Sequence, residues 1–318
     1  ARVTGVQTCA LPIFKLGCAT WSFSKPHYQP PYHEAIEIIG KMGFEGLEMI
    51  AFEEQDLDTY YTDDTIRELR KAYEAYGMEL TEFAAYTPII EGLSSLDKVE
   101  NQKAIDIFKK STDVAYKLGS RAMNLVSNWV KIACPIDYPP SYYNPFVNGV
   151  SRATPKWKMD IQKGDYELIW ENYVETLSKC LSYCEDAGME FYMEGHANVI
   201  VGNSDAMLRL FDRLPSSKFG VNFDTAWHLI QREYPSLALR KLGNRVKHFH
   251  MRDGDGLVDY NLPCGMGIID WVDVFETLKD IGFDGYCSFE VGAYNDMPKY
   301  IGMAKAYIED AMQQAGVR

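Results

Sequence analysis

Acidic and imidazole side chains stand at the ends of four successive short apolar runs in the second half of the chain. FYMEGH presents Glu194, VNFDTAWH presents Asp224, VKHFHMRD presents His250 and YCSFEV presents Glu290. One such residue alone is ordinary, because an isolated Glu at a strand end is commonly a loop salt bridge or a solvated group. Four in a row are different. Three carboxylates converging without a cation repel one another, and burial disfavours their ionised forms. A divalent cation removes that conflict. Oxygen and nitrogen donors without a thiolate point to Mn2+, Mg2+, Co2+ or Zn2+, and Mn2+ is favoured. A cation held this way can act as a Lewis acid on substrate oxygens, and carboxylates beside it can take and return a proton.

These residues act together only if the chain brings them together. A short βα unit recurs, in which a helix ends near a Gly and an apolar strand comes next: KMGFEGLEMI, AYGMELTEFAA, KLGSRAMNLV, DAGMEFYMEG, KFGVNFDT, LGNRVKHFHM and IGFDGYCSFEV. Gly there suits the left-handed residue just past a helix end. The pattern predicts eight strands, near 15–20, 46–50, 79–84, 122–126, 190–194, 219–224, 246–250 and 285–290. Apolar residues at three- and four-residue steps mark helices between them, as in EAIEIIGKM, DTIRELRKAYEAY, NQKAIDIFKKSTDVAYKL, YELIWENYVETLSKCLSYCEDA and DWVDVFETLKDI. Short, mostly apolar strands alternating with helices read as an α/β fold, a single (β/α)8 TIM barrel over residues 14–318. No glycine-rich phosphate loop follows strand 1, which counts against an open doubly wound sheet. In a barrel the active site lies at the C-terminal strand ends, and neighbouring strands sit roughly 4.8 Å apart. Strands 5 to 8 therefore place Glu194, Asp224, His250 and Glu290 on one arc.

Two segments break the rhythm. Residues 1–13, ARVTGVQTCALPI, carry no helix or strand period and no secretory signal. They read as a non-native or disordered leader. Residues 128–165 form an insertion after strand 4 that is rich in Pro, Tyr and Trp. Its position predicts an ordered cover over the pocket or an oligomer contact.

Composition narrows the partners. The 318 residues carry a net charge of −13, which disfavours binding to a nucleic-acid backbone. No apolar run approaches a membrane span. Seven scattered cysteines without a CxxC pair fit a reduced, cytoplasmic protein.

The strand-end motifs MEGH, NFDTAWH, HFHMRD and FEV resemble, as a set, the sugar phosphate isomerase/epimerase family with its xylose-isomerase-like barrel. That family includes ketose 3-epimerases, inosose-processing enzymes and, more distantly, endonuclease IV. The likeness runs from Phe14 to about Gln314. It implies that Glu194, Asp224, His250 and Glu290 are metal ligands and that Glu194 and Glu290 also move protons. In the ketose 3-epimerases a substrate-touching His lies three positions after the Asp. Here Trp227 holds that offset and His228 comes next, so His228 either faces the site or is a loop histidine with a structural hydrogen bond.

Further residues are candidates for substrate binding. His196 either orients Glu194 or serves its loop. Arg252 either grips a substrate oxygen or pairs at the surface with Asp253 or Asp255. Trp21 and Trp227 offer flat walls for sugar C–H faces. His248 shares the alternation of His250 one layer deeper and reads as a hydrogen-bonded core histidine. Glu48, at the end of strand 2, reaches the pocket or pairs with Lys41. The glycines of GDG at 254–256 and CGMG at 264–267 read as turns in a long loop near His250, not as a phosphate nest.

The expected function is a divalent-metal-dependent sugar isomerase or epimerase acting on a sugar or sugar derivative, as a homo-oligomer or with a small partner subunit. Three other readings are weighed against it. A metal-dependent lyase or deglycosidase acting on 3-oxo-glycosides, like the C-glycoside deglycosidases, would use the same ligands. An endonuclease-IV-like enzyme would need more metal histidines, and none follows strands 2 to 4. A non-catalytic sugar-binding barrel would give no reason for the acidic arc.

Overall fold

The computed structural model describes residues 14–127, 131–133, 158–160, 165–197, 199–257, 261–292 and 294–318. The leader 1–13 and most of the insertion 128–165, with its cover-or-contact expectation, lie outside the described residues. Eight parallel strands close a barrel. They are β1 (Lys15–Ala19), β2 (Gly46–Ala51), β3 (Glu79–Ala85), β4 (Ala122–Val126), β5 (Glu190–Glu194), β6 (Phe219–Asp224), β7 (Val246–Met251) and β8 (Tyr286–Phe289). β8 pairs with β1, from Lys15 opposite Tyr286 to Cys18 opposite Phe289, so no edge is left open. The predicted strands hold to within one residue at nearly every end.

Eight longer helices alternate with the strands: α1 (His33–Lys41), α2 (Asp63–Glu74), α3 (Lys98–Leu118), α4 (Tyr166–Asp186), α5 (Ser204–Arg213), α6 (Pro235–Leu242), α7 (Trp271–Asp280) and α8 (Met297–Ala315). Local chemistry sets their ends. Asp97, Asp165, Asn203 and Asp270 cap α3, α4, α5 and α7 by accepting first-turn backbone N–H groups. Gly119 closes α3 in the left-handed region at φ +80°. The glycine of KFGVNFDT departs from that pattern. Gly220 sits inside β6 without a positive φ, where a Cβ would meet the Lys247 side chain at 2.3 Å. Three shorter helical turns, Asp56–Thr59, Thr87–Ile90 and Thr225–Ile230, follow β2, β3 and β6. A two-stranded antiparallel ribbon, Lys131–Ala133 with Lys158–Asp160, is an addition to the predicted strands.

Most strand residues are buried on both faces, as expected of strands covered by helices outside and packed against one another inside. Leu16, Leu47, Phe191, Phe219, Phe249 and Phe289 belong to one continuous apolar core. Among the described residues no helix is long and apolar enough to cross a membrane.

Two irregularities in pairing shape the mouth and floor of the barrel. The pairing skips Thr81 of β3 between Leu47 and Glu48 of β2, and Lys247 of β7 between Val221 and Asn222 of β6. Such bulges turn a strand locally and re-aim its side chains. Beyond each shift, Glu48 stands opposite Glu82, Asn222 opposite His248 and Asp224 opposite His250.

Candidate active site and metal centre

At the C-terminal mouth, Glu194, Asp224, His250 and Glu290 each offer one ligand atom, and these atoms lie within 4.8 Å of one another. Glu194 and Asp224 are the last residues of β5 and β6, His250 lies one from the end of β7, and Glu290 follows β8. Nδ1 of His250 lies 3.1 Å from Glu290 Oε2, 3.5 Å from Glu194 Oε1 and 4.0 Å from Asp224 Oδ2. The donor set suits a hard divalent cation. Glu290 Oε2 supports the fit, since it is buried and makes no well-angled hydrogen bond, although His250 and Arg252 are both 3.1 Å away.

The electrostatics of the carboxylates differ. Burial pushes Glu194 up to about 7, against the pull of His250. Asp224 is also raised, by burial, despite the neighbouring Arg252. Glu290 is lowered, because Arg252 and His250 outweigh its burial. His250 is raised well above an ordinary imidazole: burial opposes this, but Glu48, Glu194 and Glu290 prevail.

A second layer lies directly below. Glu48, Glu82 and His248 join His250 in another group of four buried, potentially ligating residues. His248 Nε2 is 2.8 Å from Glu48 Oε1, and His250 Nε2 is 3.0 Å from Glu48 Oε2. His248 is thus the hydrogen-bonded core histidine its alternation predicts. Glu48 reaches the pocket's floor, and Lys41 pairs instead with Glu37. Asn124 donates to Glu82 Oε1 at 3.0 Å and to Glu194 Oε2 at 3.1 Å, tying the two layers together. Asn222 donates to both oxygens of Glu82, at 3.2 and 3.3 Å.

Glu82, Asn124 and Asn222 were absent from the candidates drawn from the sequence. The signal available was a polar residue at the centre of an otherwise apolar strand, in ELTEFAA, AMNLV and GVNFD. Such a residue is buried, and a buried polar group needs partners.

The supporting candidates sort clearly. Arg252 is buried and pairs with neither Asp253 nor Asp255. Its Nε and Nη2 donate to Asp224 Oδ2 at 2.8 and 2.5 Å, and Nη2 lies 3.1 Å from Glu290 Oε2. Its guanidinium also sits 5.3 Å from the centre of the Trp227 ring. Asp253 instead organises the loop after β7, accepting from the Gly254, Gly265 and Ile269 N–H groups and from Trp271 Nε1. Gly256 and Gly265 in that loop have positive φ, as turn glycines do.

Trp21 does more than form a wall. Its Nε1–H donates to Glu290 Oε1 at 3.1 Å while its ring stacks on Tyr28. His196 packs on Trp227 with ring centres 3.4 Å apart, and burial, then the Arg252 charge, lowers its pKa. The Trp227 backbone N–H donates to Asp224 Oδ1 at 2.8 Å, so Asp224 caps the turn Thr225–Ile230. His228 takes the structural hydrogen bond, Nδ1 to Glu233 Oε2 at 2.7 Å, and stacks flat on Phe223. Its Nε2 abuts Gly195, next to Glu194, where a Cβ would come within 3.2 Å.

The sequence profile of the xylose isomerase-like TIM barrels matches residues 36–313. An uncharacterised protein of Methanocaldococcus jannaschii is 30% identical over 163 residues, 47% of this chain and 55% of that one. Fructoselysine 3-epimerase of Escherichia coli O157:H7 is 21% identical over 302 residues, 93% of this chain and 96% of the epimerase. Inosose dehydratase of Geobacillus kaustophilus is 25% identical over 50% of this chain and 57% of the dehydratase. Among solved structures, D-psicose 3-epimerase with D-tagatose from Clostridium cellulolyticum H10 superposes with a TM-score of 0.73 at 20% identity, covering 94% of this chain and 99% of the epimerase. Epimerases stand among the matches that span most of the chain, and the chain is an enzyme of the isomerase/epimerase class. From the closed barrel and the profile match together, the chain belongs to the xylose isomerase-like TIM barrel family.

Proposed function

We propose that the chain is a divalent-metal-dependent sugar isomerase or epimerase that moves a proton on a carbon next to a carbonyl. The observation that carries this reading is the convergence of Glu194, Asp224, His250 and Glu290 within 4.8 Å. These four would hold the ion, with Mn2+ favoured and Mg2+, Co2+ or Zn2+ compatible with the same donors. When bound, the cation would supply Lewis-acid stabilisation of the charge that builds on the sugar's oxygens.

The remaining chemistry belongs to side chains. Glu194 and Glu290 are two carboxylates whose surroundings push their proton affinities apart, the usual mark of an acid and base pair. Glu290 is kept ionised by Arg252 and His250 and serves as the base. Glu194 would return the proton. Arg252 would grip a substrate oxygen, and Trp21, Trp227 and His196 would shape the wall around the sugar, while His228 stays in its structural hydrogen bond. The epimerase relatives support a sugar or sugar derivative as substrate.

A second reading is elimination, the outcome when a leaving group departs in place of proton return. The inosose dehydratase likeness favours it. It includes a lyase acting on 3-oxo-glycosides.

The test is bound metal by mass spectrometry in the wild type and in Asp224→Ala, then a panel of ketoses and oxidised glycosides. About one ion per wild-type chain, lost in the variant, is expected. Near-zero metal in both, with no uptake from supplied Mn2+, would sink the reading in favour of a sugar-binding barrel. Deuterium incorporation from heavy water into an otherwise intact sugar separates proton transfer from elimination.

A further inference from the structure

The inner layer fixes how His250 meets the outer one. Glu48 is fully buried, and each of its oxygens faces one imidazole: Oε1 faces His248 Nε2 at 2.8 Å and Oε2 faces His250 Nε2 at 3.0 Å. An ionised carboxylate only accepts hydrogen bonds, so both imidazoles must donate through Nε2. Asn222 Nδ2 lies 3.0 Å from His250 Nε2, which already carries a hydrogen, and 3.3 Å from Nδ1, but the charged Glu82 carboxylate at 3.2 and 3.3 Å is the stronger acceptor. The Asn222 amide hydrogens therefore go to Glu82. His250 is left with Nδ1 pointing at Glu290, Glu194 and Asp224, 3.1 to 4.0 Å away. A bare Nδ1 lone pair among three carboxylates is repulsive, so that nitrogen needs either a proton or a cation.

We propose that Glu48 is a positioning residue for the metal centre: it accepts the hydrogen bond of His250 Nε2–H, keeps the proton on that nitrogen, and so commits Nδ1, unprotonated, to the ion. The proposal rests on the metal reading above. His248 holds the other oxygen of Glu48 and stops the carboxylate from turning away. Metal-ligating histidines commonly donate their second N–H to a carboxylate, which fixes ring orientation and strengthens the ligand. What is particular here is the distance in sequence. The carboxylate comes from β2 on the far side of the barrel, 202 residues before the histidine it serves.

The experiment is Mn2+ titration of the full chain, wild type and Glu48→Gln, with free Mn2+ read by electron paramagnetic resonance. Melting of both proteins in chelator runs alongside. A single amide oxygen cannot accept from both imidazoles, so Glu48→Gln should weaken Mn2+ binding by about 10–100-fold. A purely structural role would instead lower the melt and leave the dissociation constant alone. A variant that binds Mn2+ within about twofold of wild type overturns the proposal and leaves the metal site standing. If the wild type binds no Mn2+, both readings fall. Should the variant not fold, the wild type itself supplies the answer. With Zn2+ bound, two-bond proton–nitrogen correlation of the six histidines should show His250 with its proton on Nε2 and Nδ1 metal-shifted, assigned with His250→Gln. The opposite tautomer overturns the proposal.

Discussion

Two acidic layers are stacked along the barrel axis, and they are built differently. In the inner one, both oxygens of Glu48 accept from histidines, and Glu82 accepts from Asn124 and Asn222. Neither carboxylate touches solvent. In the outer one, Glu290 Oε2 lacks a well-angled hydrogen bond and Asp224 Oδ2 is held by Arg252. Glu194 Oε1 stands 3.5 Å from His250. A buried polar group with its partners supplied is scaffold, whereas converging groups left short of partners await a ligand. Acidity alone does not mark a site; satisfaction of the acid separates the two layers.

That contrast predicts a ranking of effects. The largest is expected in the outer layer, at the proton-moving groups. Glu290→Gln and Glu194→Gln should each lower kcat by about 10^2–10^4-fold while retaining the fold, as steady-state rates and melting would show. Glu82→Gln, in the inner layer, should lower kcat far less. Equal losses in the two layers would erase the distinction between them.

Arg252 comes next, because it compensates two buried carboxylates. In chelator, Arg252→Gln should destabilise the chain by about 3–5 kcal/mol. Added Mn2+ should restore much of that loss by supplying the missing positive charge. Denaturant unfolding with and without Mn2+ reads both numbers, and a variant as stable as wild type in chelator would show that the pair is not compensating.

A third effect is pH dependence. Burial raises Glu194 from an ordinary 4.5 to about 7. Between those values the folded chain keeps a proton that the unfolded chain has released. Metal-free stability from this group therefore falls as pH rises through that window, then levels off above it. The loss is at most about 3 kcal/mol. Glu194→Gln should remove that slope, and melting curves in chelator that run parallel for both proteins would refute the shift.

The smallest effect belongs to Trp21, whose N–H holds Glu290 Oε1. Trp21→Phe keeps the aromatic face and deletes a bond to a charged group, a change of about 1–1.5 kcal/mol. A fall of about fivefold to tenfold in kcat with KM nearly constant is expected. A rise in KM alone would return Trp21 to the role of a plain wall.

Much of this was legible in the residues. Strand–helix alternation carried the barrel, and the four candidate ligands of the outer layer stood out by ending successive strands. The inner layer was harder to read, for a physical reason. Glu82 and Asn222 find each other across the barrel, from β3 and β6. Nothing in the local pattern of one strand records who sits across the axis. Arg252 shows the same limit: its nearest acids in sequence, Asp253 and Asp255, are not its partners, because Asp253 is taken by its own loop. Glu48 reads as a strand end in the sequence, but β2 runs on to Ala51, so Glu48 sits three residues below the mouth and its side chain lies in the floor.

His250 sits where contributions from the whole circumference meet. β2, β3 and β4 bring Glu48, Glu82 and Asn124, while β5, β6 and β7 bring Glu194, Asp224, Asn222 and His248. Glu290 follows β8, and the turn after β1 supplies Trp21. A half-barrel of four strands would hold either the ligands or most of their supports, never the full circle. Catalytic competence is therefore a property of ring closure, and it appears only when the last strand docks against the first.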